Sequence, residues 1–341
     1  MANNTDGDAA LFTPTEIVGI ATVTGVIAVL TTGGNLLVIL AFVTNSSLRR
    51  FSDYFILNLA VADLLIGCVC IPPYIPYLLT GVWEPGRAFC KIWLVLDYIA
   101  PAGSALNMCV ISIDRYLQVA FPLRYRAKQS RNLLFVMILP PWVVAGLVYV
   151  PAIVFWEMWI NKDVIPIKQC MVPYFYNMEY AVFGSMMEFT IPFVVVGTFN
   201  ILIVLRLRKQ TRSFAGRNRI APIAHSSASG SMSTGNNQQM RAARAQTVSR
   251  DQKAARSLFI LVLVFGVCWL PFEILALVKS VCGDCVDPVL YEVSFWILWL
   301  NSTVNPALYP LLHRRFRSAF IQLLRCSKVP TRHEGTTHTA A

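Results

Sequence analysis

Residues 54–79 read YFILNLAVADLLIGCVCIPPYIPYLL, and Asp63 is the single charge among them. A run of this length meets the requirement of about 20 apolar residues for crossing a hydrocarbon core roughly 30 Å thick. Six further blocks of the same kind occur at about residues 17–43, 91–119, 133–155, 176–205, 257–279 and 289–312. In lipid, only helices and closed barrels satisfy their own backbone hydrogen bonds, and these blocks lack the short alternating pattern of barrel strands. The chain is therefore expected to be an all-α integral membrane protein, a seven-transmembrane helix bundle. Composition agrees: 56% of the 341 residues are hydrophobic and only 14% are charged, where soluble domains carry about a quarter charged.

Charge sets the expected orientation. With the N-terminus outside, the cytoplasmic segments hold 24 of the 29 Lys and Arg, and the outer segments hold five against ten acids. That is the positive-inside asymmetry of a multi-pass membrane protein. The basic residues flank spans and have no interleaved aromatics, so the net charge of +11 does not point to nucleic acid. Residues 1–16 form a polar, acidic extracellular tail, with Asn3 of Asn3-Asn4-Thr5 a glycosylation acceptor. The next block is too long for a signal-peptide core and reads as an uncleaved anchor. Residues 17–312 form the transmembrane domain, whose cytoplasmic loop at about 208–250 is Ser-rich, poor in apolar residues and expected to be disordered. Residues 313–325 carry Phe316, Phe320, Leu323 and Leu324 at helical spacing opposite arginines, which predicts a short amphipathic eighth helix on the inner leaflet. A cytoplasmic tail follows over 326–341, and Cys326 at its start is a palmitoylation candidate.

Four cysteines fall on the outer side, Cys90, Cys170, Cys282 and Cys285, an even number that can pair twice. A bond between Cys170 and Cys90 would pin the loop at 156–175 over the third helix and roof any cavity beneath. Ionisable groups inside a bilayer are costly and mark functional sites by default. Asp63, Asp97, Glu188 and Glu273 are such groups, with Arg115 and Asp251 near the inner boundary. Asp97 lies seven residues past Cys90, two turns along the same face. An isolated carboxylate there holds a cation or is neutralised, and Trp93, Tyr98, Trp269, Phe272, Trp296 and Trp299 fall at similar depth, suited to caging an ammonium. Asp114-Arg115-Tyr116 closes the third block, where Arg115 and Asp251 share a depth and can pair.

Together with those residues, Gly34-Asn35, Leu59-Ala60-Val61-Ala62-Asp63, Trp142, Pro192, Cys268-Trp269-Leu270-Pro271 and Asn305-Pro306-Ala307-Leu308-Tyr309 resemble the landmarks of a rhodopsin-class G-protein-coupled receptor across nearly the whole chain. The resemblance implies coupling to a heterotrimeric G protein at the plasma membrane, with arrestin and receptor kinases as further partners. It implies a switch built from Asp114, Arg115, Tyr116, Asp251, Asn305, Pro306 and Tyr309, with Trp269 as the pivot beneath the agonist. It also implies an allosteric sodium ion held by Asp63, Ser104, Asn301 and Asn305, with no other cofactor. Asp97 matches the amine-binding aspartate of the aminergic branch. Cys90-Lys91-Ile92-Trp93-Leu94-Val95-Leu96-Asp97-Tyr98, Phe295-Trp296-Ile297-Leu298-Trp299, Glu188 and Asn200 are similar to the third and fourth histamine receptor subtypes, which implies inhibition of adenylate cyclase.

The expected ligand-binding residues are Asp97, Tyr98, Glu188, Trp269, Phe272, Glu273, Trp93, Tyr74, Phe295, Trp296 and Trp299. Two carboxylates facing one cavity select a ligand with an ammonium at one end and a ring donor or second cation at the other, which fits histamine. Acetylcholine or an indole or phenolic amine is the alternative. Pro101 and Glu273 depart from the histamine pattern, the first expected to kink the third helix and the second adding an acid to the pocket. An opsin is excluded because residues 289–312 contain no lysine. A proton-coupled transporter leaves Arg115 and Asp251 without a role, and no catalytic motif suggests an enzyme.

Overall fold

A computed structural model describes residues 12–175, 177–219, 259–283, 285–312 and 314–325. Asn3, Asp251 and Cys326 lie outside the described residues, and so does most of the expected cytoplasmic loop. The long helices, numbered in chain order, are α1 (Pro14–Thr44), α2 (Asp53–Thr80), α3 (Arg87–Ala120), α4 (Arg131–Ile160), α5 (Met178–Arg219), α6 (Phe259–Cys282), α7 (Pro288–Leu312) and α8 (Arg314–Leu324). No strand occurs among the described residues.

Six of these helices, α1 to α6, are long and apolar enough to cross a membrane. The seventh block also folds as a helix, of 25 residues, but falls short in apolarity. The reason is its inward face, which carries Asn301, Ser302 and Asn305, all buried against the other helices. Helix α5 runs on to Arg219, into the stretch read from sequence as a polar loop, where neither Pro nor Gly interrupts residues 198–215. Pro101 does not break α3, which is one unbroken helix from Arg87 to Ala120.

Side-chain caps start three of the long helices, whereas α2 and α3 begin without one. Thr13 and Glu16 form a reciprocal capping box at α1, with Pro14 at the first helical position. The Ser130 hydroxyl accepts from the Leu133 amide at α4, and the Asn177 side chain accepts from the Tyr180 amide at α5. α3 is the axis of the bundle: 72% of its apolar window is buried, against 17% for α4. The exposed Val and Leu side chains of α1, α4 and α6, such as Val29, Leu139 and Val267, form the outer apolar surface that lipid would cover.

Two close approaches depend on glycine. A Cβ at Gly34 would sit 3.0 Å from the Pro306 ring, and one at Gly67 only 2.8 Å from the backbone of Thr32. They draw α7 and α2 against α1 as no larger residue could. Gly67 also lies in a wide π turn over Ile66–Cys70, and a second such turn spans Met186–Thr190 in α5. Each inserts one extra residue into the helix and re-aims the side chains around it, a feature concentrated at functional sites. Along α8, Phe316 and Phe320 are buried, Phe316 lying 5.9 Å from the Tyr309 ring, whereas Leu324 is exposed. The apolar stripe of α8 is thus spent mainly on the bundle itself.

Candidate ligand site

The site lies at the end of the bundle that carries the disulfides. Cys90 and Cys170 are bonded with their Cα atoms 5.6 Å apart, and Cys282 pairs with Cys285. The first bond ties the segment between α4 and α5 to the start of α3. Charge braces the same segment: Arg87 reaches Asp163 at 2.8 Å and pairs with Glu157, which Lys91 also meets at 3.2 Å. Glu157 in turn accepts from the Val164 and Ile165 amides. The Trp83 amide donates to the Lys168 carbonyl at 2.8 Å, and the Cys170 amide donates to the Tyr77 hydroxyl. The roof is thus held by a covalent link, an ion-pair network and backbone bonds.

Under the roof lies a cavity of about 80 Å³. Its walls bring together Tyr98 of α3, Tyr149 of α4, Ser185 and Glu188 of α5, Phe272 and Glu273 of α6, Tyr291 of α7 and Tyr174 of the roof. Glu188 sits within the π turn of α5 and accepts from the Tyr149 hydroxyl at 3.0 Å. Glu273 is buried and accepts from the Ser185 hydroxyl at 2.5 Å. Each carboxylate therefore has one hydroxyl donor and, among the described residues, no ion pair.

Asp97 does not line this cavity, contrary to the expectation that it and Glu188 form opposite walls of one space. It is buried beside it, one residue before Tyr98, with the Cys70 thiol against its carboxyl. Its Oδ1 has no hydrogen-bond partner. An unpaired carboxylate oxygen away from water forfeits a charge-assisted bond that a cationic ligand would supply.

Most of the aromatic residues named from sequence assemble into one cluster joining α2, α3 and α7, whereas Tyr98 packs on Tyr149 and Tyr174. Tyr74 stacks on Trp93 with ring centroids 5.8 Å apart and meets Phe295 at 5.4 Å and Trp299 at 5.3 Å. Trp296 contacts Trp299 at 5.0 Å, and Phe272 joins α6 to the cluster through Phe295 at 5.3 Å. Trp269 is buried below, packed on Phe265 at 5.2 Å. The Trp269 and Trp299 indole nitrogens are buried without a partner.

Several residues here escaped the sequence reading. Glu292, counted there among the outer acids, accepts from the Tyr74 hydroxyl and the Trp296 indole, both at 2.9 Å. Its spacing of four from Trp296 is the signal that was present. Tyr149 and Tyr174 lie on other segments, and nothing local marks them. Lys279 of α6 sits 4.2 Å from the Tyr291 ring centroid and 5.6 Å from that of Phe175, a cation held over aromatic faces at the rim.

Deeper in the bundle, Asp63 accepts from Ser104 at 3.2 Å, Ser302 at 2.8 Å and Asn305 at 2.9 Å. The expected set included Asn301 in place of Ser302. Asn301 does not bond Asp63, and its Oδ1 is buried with no partner. Ser302 precedes Pro306 by four residues, so its carbonyl lacks the helical donor. Asn35 donates to that carbonyl at 3.1 Å, linking α1 to the same polar layer. Tyr309 is buried with its hydroxyl unpaired.

At the opposite end of the bundle, Asp114 accepts from Tyr125 at 2.8 Å and from Gln118 at 2.7 Å. Tyr125 stands on a short helix after α3, Pro122–Lys128, and burial followed by the charge of Asp114 pushes its hydroxyl well above the usual tyrosine range. It stays a proton donor to Asp114. Arg115 makes no ion pair among the described residues.

Comparison with known proteins places this geometry. A family model described as "7 transmembrane receptor (rhodopsin family)" matches residues 34–309. The chain is 31% identical to the human histamine H4 receptor over 87% of its own length and 89% of the relative's. It is 28% identical to the human muscarinic acetylcholine receptor M1, covering 95% of this chain and 94% of that protein. The human alpha-1D adrenergic receptor is 32% identical, covering 95% of this chain and 59% of that receptor.

Proposed function

The chain belongs to the rhodopsin family of seven-transmembrane receptors, in its amine-receptor branch, and we propose that its agonist is histamine or a close analogue. It is a multi-pass membrane receptor, not an enzyme, and its family implies a small amine ligand and a G protein. The observation that carries the amine reading is the buried, unpartnered Oδ1 of Asp97, beside a cavity whose walls are tyrosines and two glutamates. An ammonium at Asp97 would make the missing bond, and the ring of histamine would give an N–H to Glu188. A quaternary amine such as acetylcholine has no N–H to give that second carboxylate, and a phenolic amine can offer it only a neutral hydroxyl, as Tyr149 already does. Tyr98, which lines the cavity, follows Asp97 directly in α3 and so stands next to the ammonium position.

The same reading places the disulfide end outside the cell, the chain at the plasma membrane, and the Asp114 end against an inhibitory G protein, arrestin and receptor kinases. A sodium ion at Asp63 would take oxygen donors from the carboxylate and the Ser104 and Ser302 hydroxyls, and the buried, unpaired Oδ1 of Asn301 is a further oxygen on the helix that carries Ser302. Asn305 turns its amide nitrogen to Asp63 and so orients the carboxylate instead of offering an oxygen. The ion would supply a counter-charge to Asp63 while the receptor is quiet. The deciding experiment is a panel of amines on cells expressing the chain, reading cyclic AMP and G-protein dissociation together. Activation by histamine at lower concentration than acetylcholine, serotonin or noradrenaline supports the reading; silence to histamine with a response to one of the others overturns it.

A further inference from the structure

Glu188 and Glu273 face one cavity from two different helices, and no cation among the described residues is paired to either. Lys279 of α6 is held over the rings of Tyr291 and Phe175 and does not line the cavity. Two carboxylates lining one cavity repel each other unless a positive charge lies between them. A third polar group points to what fills the gap. Tyr174, in the roof, is only 5% exposed, lines the same cavity, and its hydroxyl has no partner. Burial, then the charges of Glu188 and Tyr180, push that hydroxyl well above the usual tyrosine range, so it remains protonated and can donate or accept.

We propose that Glu188, Glu273 and the Tyr174 hydroxyl form a second cation-binding subsite, so that the preferred agonist is a dication with one ammonium at Asp97 and a second ammonium, amidinium or imidazolium at the glutamate pair. A planar second cation suits the arrangement, because it can offer one N–H to each glutamate and leave the roof hydroxyl to close over it. A monoamine fills only half of the site and leaves the two glutamates opposed. The inference rests on the amine reading above and sharpens it: histamine binds with its ring protonated, and aliphatic diamines or amino-guanidines are ligands as well.

The test uses the full chain purified in lipid nanodiscs, with ligand affinity read from the shift in unfolding temperature and from displacement of a bound amine. The probes are α,ω-diamines from diaminopropane to diaminoheptane, each against the n-alkylamine of the same length, together with 4-aminobutylguanidine. The best diamine is expected to bind at least about tenfold tighter than its matched monoamine, a ratio worth about 1.4 kcal/mol. The double variant Glu188→Gln/Glu273→Gln should cut that diamine-to-monoamine ratio to about twofold, and Tyr174→Phe should lower it by a smaller factor. A matched monoamine that binds as tightly as the best diamine overturns the second subsite and leaves the amine reading standing. So does a diamine advantage that survives the double variant. If no amine of either kind binds the native chain, both fall. The ratio on the native chain decides the matter even if a variant does not fold.

Discussion

Asp97→Ala removes the carboxyl whose Oδ1 is buried and unpaired, along with the counter-ion for any ammonium at α3. Amine-driven G-protein dissociation should fall by at least about a hundredfold in potency, since a buried ion pair is worth several kcal/mol when one partner is cut away. Surface labelling should stay near native, because no other side chain donates a bond to that oxygen. Potency kept within about threefold would remove the amine from α3. Glu188→Gln keeps shape and one acceptor, and the Tyr149 hydroxyl can still donate to it. Histamine should weaken about tenfold to a hundredfold, and a monoamine with an apolar tail hardly at all, because a charge-assisted bond contributes roughly 1.5 to 3 kcal/mol. Equal losses for both ligands in a concentration–response series would mean that Glu188 acts only on the packing of α5.

Elements hold these residues in place. The roof is set by the Cys90–Cys170 bond and by Arg87, which bridges Glu157 and Asp163. Arg87→Ala leaves the disulfide but frees the two acids; Lys91 remains on Glu157 at 3.2 Å. Ligand dissociation should quicken by a few-fold, with the association rate changed less, because partly exposed ion pairs contribute about 1 kcal/mol or less. Cys170→Ser should do far more and lower affinity by at least about tenfold, since the whole segment is then released from α3. Radioligand off-rates separate the two. An Arg87→Ala loss as large as that of Cys170→Ser would show that charge, not the disulfide, holds the roof. The π turn at Met186–Thr190 matters at this same level. It re-aims the side chains around it, and Glu188, within the turn, meets the Tyr149 hydroxyl of α4 at 3.0 Å.

At the scale of the molecule, the Asp63 layer joins α1, α2, α3 and α7 through Asn35, Asp63, Ser104, Ser302 and Asn305. Asp63→Asn removes the charge that a sodium ion needs, so sodium should no longer lower agonist affinity, a change measured as agonist displacement in sodium against choline chloride. Persistent sodium sensitivity would place the ion elsewhere. Asp251→Ala tests the pairing expected with Arg115, which makes no ion pair among the described residues. Basal cyclic AMP signalling should shift toward the activated level at matched expression, and no shift would show that Asp114, Tyr125 and Gln118 hold that end closed without it.

The seven helices were legible in the sequence because lipid demands about 20 apolar residues in a row and leaves few alternatives. Asp63, Asp97, Glu188 and Glu273 stood out for the same reason: a charge inside an apolar block is rare enough to be seen without a fold. The outer cysteines were visible as a set, and the amphipathic stripe of α8 as a period. Partnership between helices was not legible, since it depends on rotation and depth that periodicity leaves open. Ser302 instead of Asn301 at Asp63, Tyr149 on Glu188, Ser185 on Glu273 and the separation of Asp97 from the Glu188 cavity were all decided by how α3, α4, α5, α6 and α7 turn toward one another. Glu292 shows the limit most directly. At the end of an apolar block it read as a solvated acid, and only the packing of α2 against α7 brings Tyr74 to it and turns a surface charge into part of the wall.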